Sequence, residues 1–438
     1  MAKPDSTALG LSGDKHLGRV AALRELRDLA TSMSPVDDAQ VISEFLTTEL
    51  RGISPEKRAK FSKGIDEILR MFGAALDGES DSAQVELDDP EFGHILVGAL
   101  EILTLRLRTP ESAAVLRRSL LTMAVSDFEI LLGVVAKFVL RSHPDKLNPG
   151  DATLTLAQLQ NIGDIRQAIE IVVDRRVEDL LRGDLIEWEK WFGQIGVKFR
   201  SMTDSWPALA EIFARRNLLV HNDGYVNLQY LNKIDSTTSK PIVGTQLEVT
   251  SEYLSEAVER LTAFALLMVS GTWLQTVSDE DEKSISWLVQ RTERLCETGE
   301  NLATRIICDT VLANHRGRLP RSRELRLTVL RWIARRNMGE IEKVEAEVRA
   351  WDASALDDSY LLSRSVLTND EEMAIERIRG MLKSRSLTRY ELLHDPLYAI
   401  MRGSAAFERM ISESDPDNYS SGSSTTVSVK ITVTDDGQ

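Results

Sequence analysis

Apolar residues recur at helical spacing along most of the chain. In the first ninety residues, one stripe has apolar side chains three residues apart: Leu17, Val20, Leu23, Leu26 and Leu29. This stripe predicts an amphipathic helix over 15–33. Ser54 and Pro55 are typical of an N-cap and a first helical position, so we expect a second helix over 54–76. The acidic stretch 77–90 has few large apolar residues and predicts a linker.

The apolar content rises from residue 91 to about residue 278. Proline, glycine and capping residues bound predicted helices at 109–143, 155–181, 185–199, 206–222 and 251–273. Trp188 and Trp191 lie three residues apart, a spacing that favours a place in the core. Residues 227–249, which include PIVGTQLEV, have the strand character that predicts a short hairpin or an extended loop.

Beyond the acidic residues 278–282, predicted helices follow one another with short turns at roughly 35-residue intervals. Paired helices at that period are typical of a helical-repeat module. Near the carboxyl end, residues 427–433 alternate like an edge strand, within a polar tail that we expect to be flexible. The predicted fold class is therefore all-α. The predicted regions are an N-terminal helical segment with its linker (1–90), a helical bundle (91–278), a repeat module (279–411) and the tail (412–438).

Charge and composition narrow the function. The formal net charge of −15 excludes nucleic-acid binding by bulk charge and requires a local basic patch instead. The basic run at 316–323 is interpreted as a solvated loop, with contact to RNA phosphates or to an acidic partner as the alternative. Cys296 and Cys308 cannot form a disulfide framework and indicate reduced thiols. The most apolar stretch, 254–273, contains three charged residues, so we expect no membrane span and a cytoplasmic location.

One segment, RRNLLVHNDG, carries candidate chemistry. Arg216 is followed by the polar Asn217, three aliphatic residues and then His221, at a helix end marked by Asn-Asp-Gly. The same spacing of Arg and His occurs once more, at Arg389 and His394, but there no polar residue follows the Arg. Spacing alone is therefore weak evidence, and the context of Arg216 is what distinguishes the first pair.

Residues 91–278 resemble the HEPN superfamily, whose hallmark is an Arg, a polar residue, about three further residues and a His. The resemblance implies a hydrolase, a metal-independent endoribonuclease, in a toxin or antiviral defence context. It implies that Arg216 holds the RNA phosphate, His221 is the acid or base and Asn217 orients the substrate. The possible supporting residues are Arg215, Glu129 and Asn222.

The residue types suit this chemistry. A histidine titrates near neutral pH and can transfer protons to and from ribose oxygens, whereas the planar arginine fork binds phosphate. We expect no cofactor and no metal. Five residues on an ideal helix separate two side chains by about 140° and about 7.5 Å, so one motif does not close around one phosphate. In the family, two motifs meet across a dimer, which implies a homodimer or larger homo-oligomer with Arg215 and Arg216 as a basic spot.

The sequence leaves an alternative open. Arg216 could pair with an acidic side chain while the motif merely ends a helix, in a non-catalytic scaffold or sensor that binds protein partners through its repeats. Residues 352–407 also resemble the tetratricopeptide-like tail that follows HEPN domains in some bacterial proteins. The alternative is that any pair of helices with an Asp-Pro turn looks similar to this tail.

Overall fold

A computed structural model describes most of the chain. The described residues are 6–33, 44–45, 47–49, 51, 54, 94–95, 97–98, 101, 111–144, 154–234, 241–314, 319–353 and 356–413. The predicted helix at 54–76, beyond residue 54 itself, and the linker at 77–90 lie outside these residues, as does the tail from residue 414 onward. The fold is all-α, as the sequence predicts.

The helices of the described residues are numbered here in chain order. The first eight are α1 (Thr7–Ser32), α2 (Ser112–Ser142), α3 (Leu156–Ile162), α4 (Ile165–Leu181), α5 (Leu185–Gly193), α6 (Trp206–Asn222), α7 (Leu228–Lys233) and α8 (Ser251–Thr276). The next eight are α9 (Asp281–Glu297), α10 (Asn301–Asn314), α11 (Arg321–Asn337), α12 (Ile341–Ala350), α13 (Asp358–Leu367), α14 (Glu371–Lys383), α15 (Arg389–His394) and α16 (Ala405–Glu413). Two short 3-10 turns lie at Phe199–Met202 and Pro396–Ile400.

An aromatic cluster joins α2 to the helices that surround it. The Phe128 ring of α2 lies 5.3 Å from Phe264 of α8 and 5.6 Å from Phe213 of α6, measured between ring centroids. Trp188 packs edge-on against Phe213, and its indole N–H donates to the Leu180 carbonyl oxygen. Truncating a buried ring of this kind costs about 3–5 kcal/mol, so the cluster fixes how α2 and α6 sit together.

Helix α1 packs on α2 and α8, although the sequence assigns it to a separate N-terminal region. A Cβ atom added at Gly13 would lie 2.5 Å from the Trp287 ring of α9, so α1 approaches α9 as closely as a glycine allows. The buried His16 places Nδ1 2.5 Å from an Asp127 carboxylate oxygen on α2, and Arg19 pairs with the other oxygen. The hydrophobic core is continuous from α1 to the C-terminal helices. The domain boundaries predicted from the sequence stay predictions.

Helix α8 is long and apolar enough to cross a membrane, and it is the one such helix among the described residues. Within the fold, 78% of its most apolar window is buried. Its neighbours α1, α2, α9 and α10 cover its surface, which is the arrangement of a core helix.

Two predicted elements differ in detail from the structure. The helix expected over 155–181 is divided into α3 and α4, because Gly163 adopts a left-handed φ of 69° between them. The region at 227–249 was expected to be a hairpin or loop, and within it the structure contains helix α7. Among its described residues, strand character is seen in an antiparallel bridge between Gln246 and Tyr225, which lies just before the region.

The C-terminal helices pack each on its neighbour from α9 to α14, as short paired helices do in repeat modules. Cys296 and Cys308 are buried thiols in this region, and burial raises the pKa of both. The assignment to a tetratricopeptide-like array stays a prediction.

Candidate functional site

Helix α6 carries the Arg216–His221 motif, and local sequence fixes both of its ends. Ser205 caps the amino end by accepting a hydrogen bond from the Ala208 N–H, and Pro207 lies in the first turn. At the other end, Asp223 and Gly224 adopt left-handed φ angles of 48° and 81°. The Gly224 N–H then donates to the Leu218 carbonyl oxygen, so the helix stops directly after the motif.

The Arg216 guanidinium is held against α2. Its Nη2 donates to a Glu129 carboxylate oxygen at 2.9 Å and lies 3.5 Å from the Ser126 hydroxyl. Its Nη1 donates to the Asn217 side-chain oxygen at 2.9 Å. Burial raises the pKa of Glu129 and the nearby Arg216 charge opposes that rise. Arg216, Asn217 and Glu129 therefore form one connected cluster. A phosphate that binds the Arg216 guanidinium would have to compete with Glu129.

His221 lies on the exposed last turn of α6. Among the described residues, no hydrogen bond or ion pair is recorded for its imidazole ring. The Asn222 side chain donates a hydrogen bond to the Tyr225 carbonyl oxygen at 2.5 Å, which stabilises the turn after the helix.

Arg215 lies in a different cluster from Arg216. Its Nε donates to Glu211 at 2.7 Å, its Nη1 donates to the Glu248 carbonyl oxygen, and its guanidinium stacks over the Tyr253 ring at 3.9 Å. Successive residues point about 100° apart on a helix, which explains why two adjacent arginines reach different neighbours. The structure does not bring Arg215 into the basic spot that the sequence led us to expect.

An exposed apolar face adjoins the motif. Met123, Ile130 and Val134 share one face of α2, with side chains 51%, 55% and 43% exposed. Val220 of α6 is 50% exposed. The ion pairs Arg216–Glu129 and Arg118–Asp223 join α2 to α6; in sequence, Met123 lies between Arg118 and Glu129, and Val220 lies between Arg216 and Asp223. We name these four residues the α2–α6 face.

Sequence reasoning identified Arg216, Asn217, His221 and Glu129, but it missed Ser126. Its only signal is its position three residues before Glu129, which puts both side chains on one side of α2. Within the described ranges, no group of three or more His, Cys, Asp or Glu side chains could hold a metal ion. No protein-family model, curated protein or solved structure matches the chain.

Proposed function

We propose that the protein is a metal-independent endoribonuclease of HEPN type that acts as a homodimer in a toxin or antiviral defence context. The observation that carries the proposal is the arrangement at the end of α6. Arg216 is fixed by Glu129 and Asn217, while His221 lies exposed, about 1.4 turns further along the same helix. His16, in contrast, is buried and paired with Asp127. The cytoplasmic location stays part of the proposal.

In the proposed reaction, the ribose 2′-oxygen attacks the adjacent phosphorus. The new O2′–P bond forms as the P–O5′ bond breaks, leaving a 2′,3′-cyclic phosphate and a 5′-hydroxyl. One copy of His221 accepts the 2′-hydroxyl proton and the second copy donates a proton to the leaving 5′-oxygen. Arg216 balances the charge of the phosphorane, and Asn217 orients the guanidinium and the phosphate.

Helix geometry supports the proposed dimer. Side chains five residues apart on one helix diverge by about 140°, so Arg216 and His221 of one chain face different directions. In the proposed dimer, a second copy of the chain supplies the complementary groups, and the exposed apolar residues of the α2–α6 face contact it. The overall charge of −15 then confines RNA contact to the cleft between the two copies.

The second candidate is a non-catalytic scaffold that binds protein partners. The Arg216–Glu129 ion pair favours it, because a neutralised arginine needs no phosphate to be satisfied.

Cleavage of a mixed RNA pool in the presence of EDTA separates the two candidates. We expect His221→Ala and Arg216→Ala each to lower cleavage at least about 100-fold while circular dichroism stays that of the wild type. The chain offers a matched control in His394→Ala, which removes the histidine of the second Arg–His pair and should leave cleavage unchanged. The endoribonuclease proposal fails if both motif variants cleave like the wild type, or if the wild type cleaves nothing.

A further inference from the structure

A cavity of about 510 Å³ lies between α6, α7 and α8, away from the Arg216–His221 motif. Sites for small molecules usually measure about 300–1,000 Å³, so this volume suits a single ligand of modest size. Arg216, Asn217 and His221 are not among its lining residues. The cavity therefore needs an explanation of its own.

One wall of the cavity is a fixed polar network around Glu211. Its carboxylate accepts hydrogen bonds from the Tyr230 hydroxyl at 2.7 Å, the Tyr253 hydroxyl at 2.6 Å and Arg215 Nε at 2.7 Å. Burial raises the pKa of both tyrosines, and the nearby Glu211 charge raises it further, so both phenols stay protonated. The network offers carboxylate and phenol oxygens as acceptors at defined positions.

The end of the cavity next to the amino terminus of α6 presents donors. Arg260 lines it and uses Nη1 to bind Asp204, while no partner among the described residues is recorded for its Nε and Nη2. Ser205, Pro207 and Ala208, at the start of α6, line the same end, where the helix dipole is positive. The remaining guanidinium donors of Arg260 favour an anionic group on the ligand, and the helix amino end adds only its dipole, because Ser205 already accepts the Ala208 N–H and Pro207 has none.

The rest of the cavity wall is largely apolar. Its apolar lining residues are Pro207, Ile212, Ile234, Pro241, Leu247 and Ala257. A planar ring fits among such side chains, and its polar edge would face the Glu211 network. Glu256 also lines the cavity but is exposed, and Asp204 occupies Nη1 of Arg260, so a phosphate would bind the Nε and Nη2 donors that remain.

We propose that this cavity binds a nucleoside monophosphate, with the base among the apolar side chains and the phosphate at Arg260. A base edge carries N–H donors, which match the carboxylate and phenol oxygens of this wall. The ligand is distinct from the RNA of the proposed reaction, and the site stands whether or not the chain cleaves RNA.

Calorimetric titration of the full chain tests the site with AMP, GMP, CMP and UMP, the corresponding nucleosides, and inorganic phosphate. We expect at least one nucleotide to bind with a Kd below about 1 mM, and its nucleoside and inorganic phosphate to bind at least about 10-fold more weakly. Arg260→Gln should weaken the nucleotide at least about 10-fold, whereas Arg294→Gln, which alters an exposed arginine on α9, should not.

A second variant keeps the test decisive if Arg260→Gln does not fold. Tyr253→Phe removes only the hydroxyl that donates to Glu211 and should change the relative affinities of the four nucleotides, while the exposed control Tyr390→Phe should not. The proposal is overturned if no nucleotide binds, if inorganic phosphate binds as tightly as every nucleotide, or if neither cavity variant changes binding.

Discussion

The chain contains two Arg–His pairs with the same spacing, and their surroundings differ. In the α6 pair, Arg216 binds Glu129 of α2, and His221 is exposed with no bond recorded among the described residues. In the α15 pair, Arg389 donates to the Ile411 carbonyl oxygen at 2.8 Å. His394 donates through Nδ1 to the Tyr390 carbonyl oxygen at 2.8 Å and stacks on the Tyr390 ring.

The difference shows what a short motif can and cannot indicate. Both groups of the α15 pair are bonded within their own module, as expected for a pair that stabilises helix packing. In the α6 pair, the arginine is held by a neighbouring helix while the histidine is exposed on the last turn of α6. Surroundings of this kind, rather than the spacing, favour a role for His221 in chemistry.

The largest expected effect comes from the α2–α6 face. Ile130→Asp places a charge in the proposed dimer contact, and we expect the dimer to dissociate and RNA cleavage to fall about 100-fold. Ile130 is 55% exposed, so folding should be nearly unaffected. Sedimentation and the EDTA-resistant cleavage assay measure the two effects.

The matched control for that substitution is Leu393→Asp, next to the second pair, where the side chain is 41% exposed. It should change neither mass nor cleavage. The contrast between the two pairs breaks down if Ile130→Asp stays dimeric and active, or if the control loses as much activity.

The pH dependence of folding should depend on neither Arg–His pair, because we expect Glu300, a group outside both pairs, to dominate it. Burial raises the pKa of Glu300 to about 7, against the opposing charge of Arg24. A raised pKa means that the folded chain binds the proton more tightly, so its stability is full below about pH 4.5 and declines as the pH rises through 7. We expect Glu300→Gln to abolish up to about 3 kcal/mol of that decline.

Urea unfolding at pH 5 and pH 8 measures the free energy of unfolding at both pH values and so the decline due to Glu300. The control is Glu297→Gln, which removes a more exposed carboxylate of the same region and should leave the wild-type decline unchanged. An unaltered decline in Glu300→Gln would show that another group governs the pH dependence of folding.

A smaller effect is expected at the carboxylate that binds Arg216. Glu129→Gln keeps a hydrogen-bond acceptor but removes the charge that competes with phosphate, so KM for RNA should fall about 3- to 10-fold with little change in kcat. Steady-state kinetics measures the split. Glu170→Gln, which removes the carboxylate bound to Arg141 at the far end of α2, should leave KM unchanged. A higher KM in Glu129→Gln would mean that Glu129 assists binding instead of competing with it.

The sequence predicted the features that depend on local pattern. Apolar periodicity located most helices of the bundle and the buried Trp188 and Trp191, and the Asn-Asp-Gly signal located the end of α6. Helix α7 was missed, because six residues are too short to show a period. The direction of Arg215 could not be predicted either, since Glu248 and Tyr253 reach it only after the chain folds.

The ends of the RNA fragments test the central claim most directly. Wild-type protein incubated with a defined RNA in EDTA should leave 2′,3′-cyclic phosphate and 5′-hydroxyl ends. In the proposed mechanism the neighbouring 2′-oxygen attacks the phosphorus and His221 carries out the proton transfers. Mass spectrometry distinguishes these ends from others. Fragments with 3′-hydroxyl and 5′-phosphate ends, or intact RNA, would contradict the account.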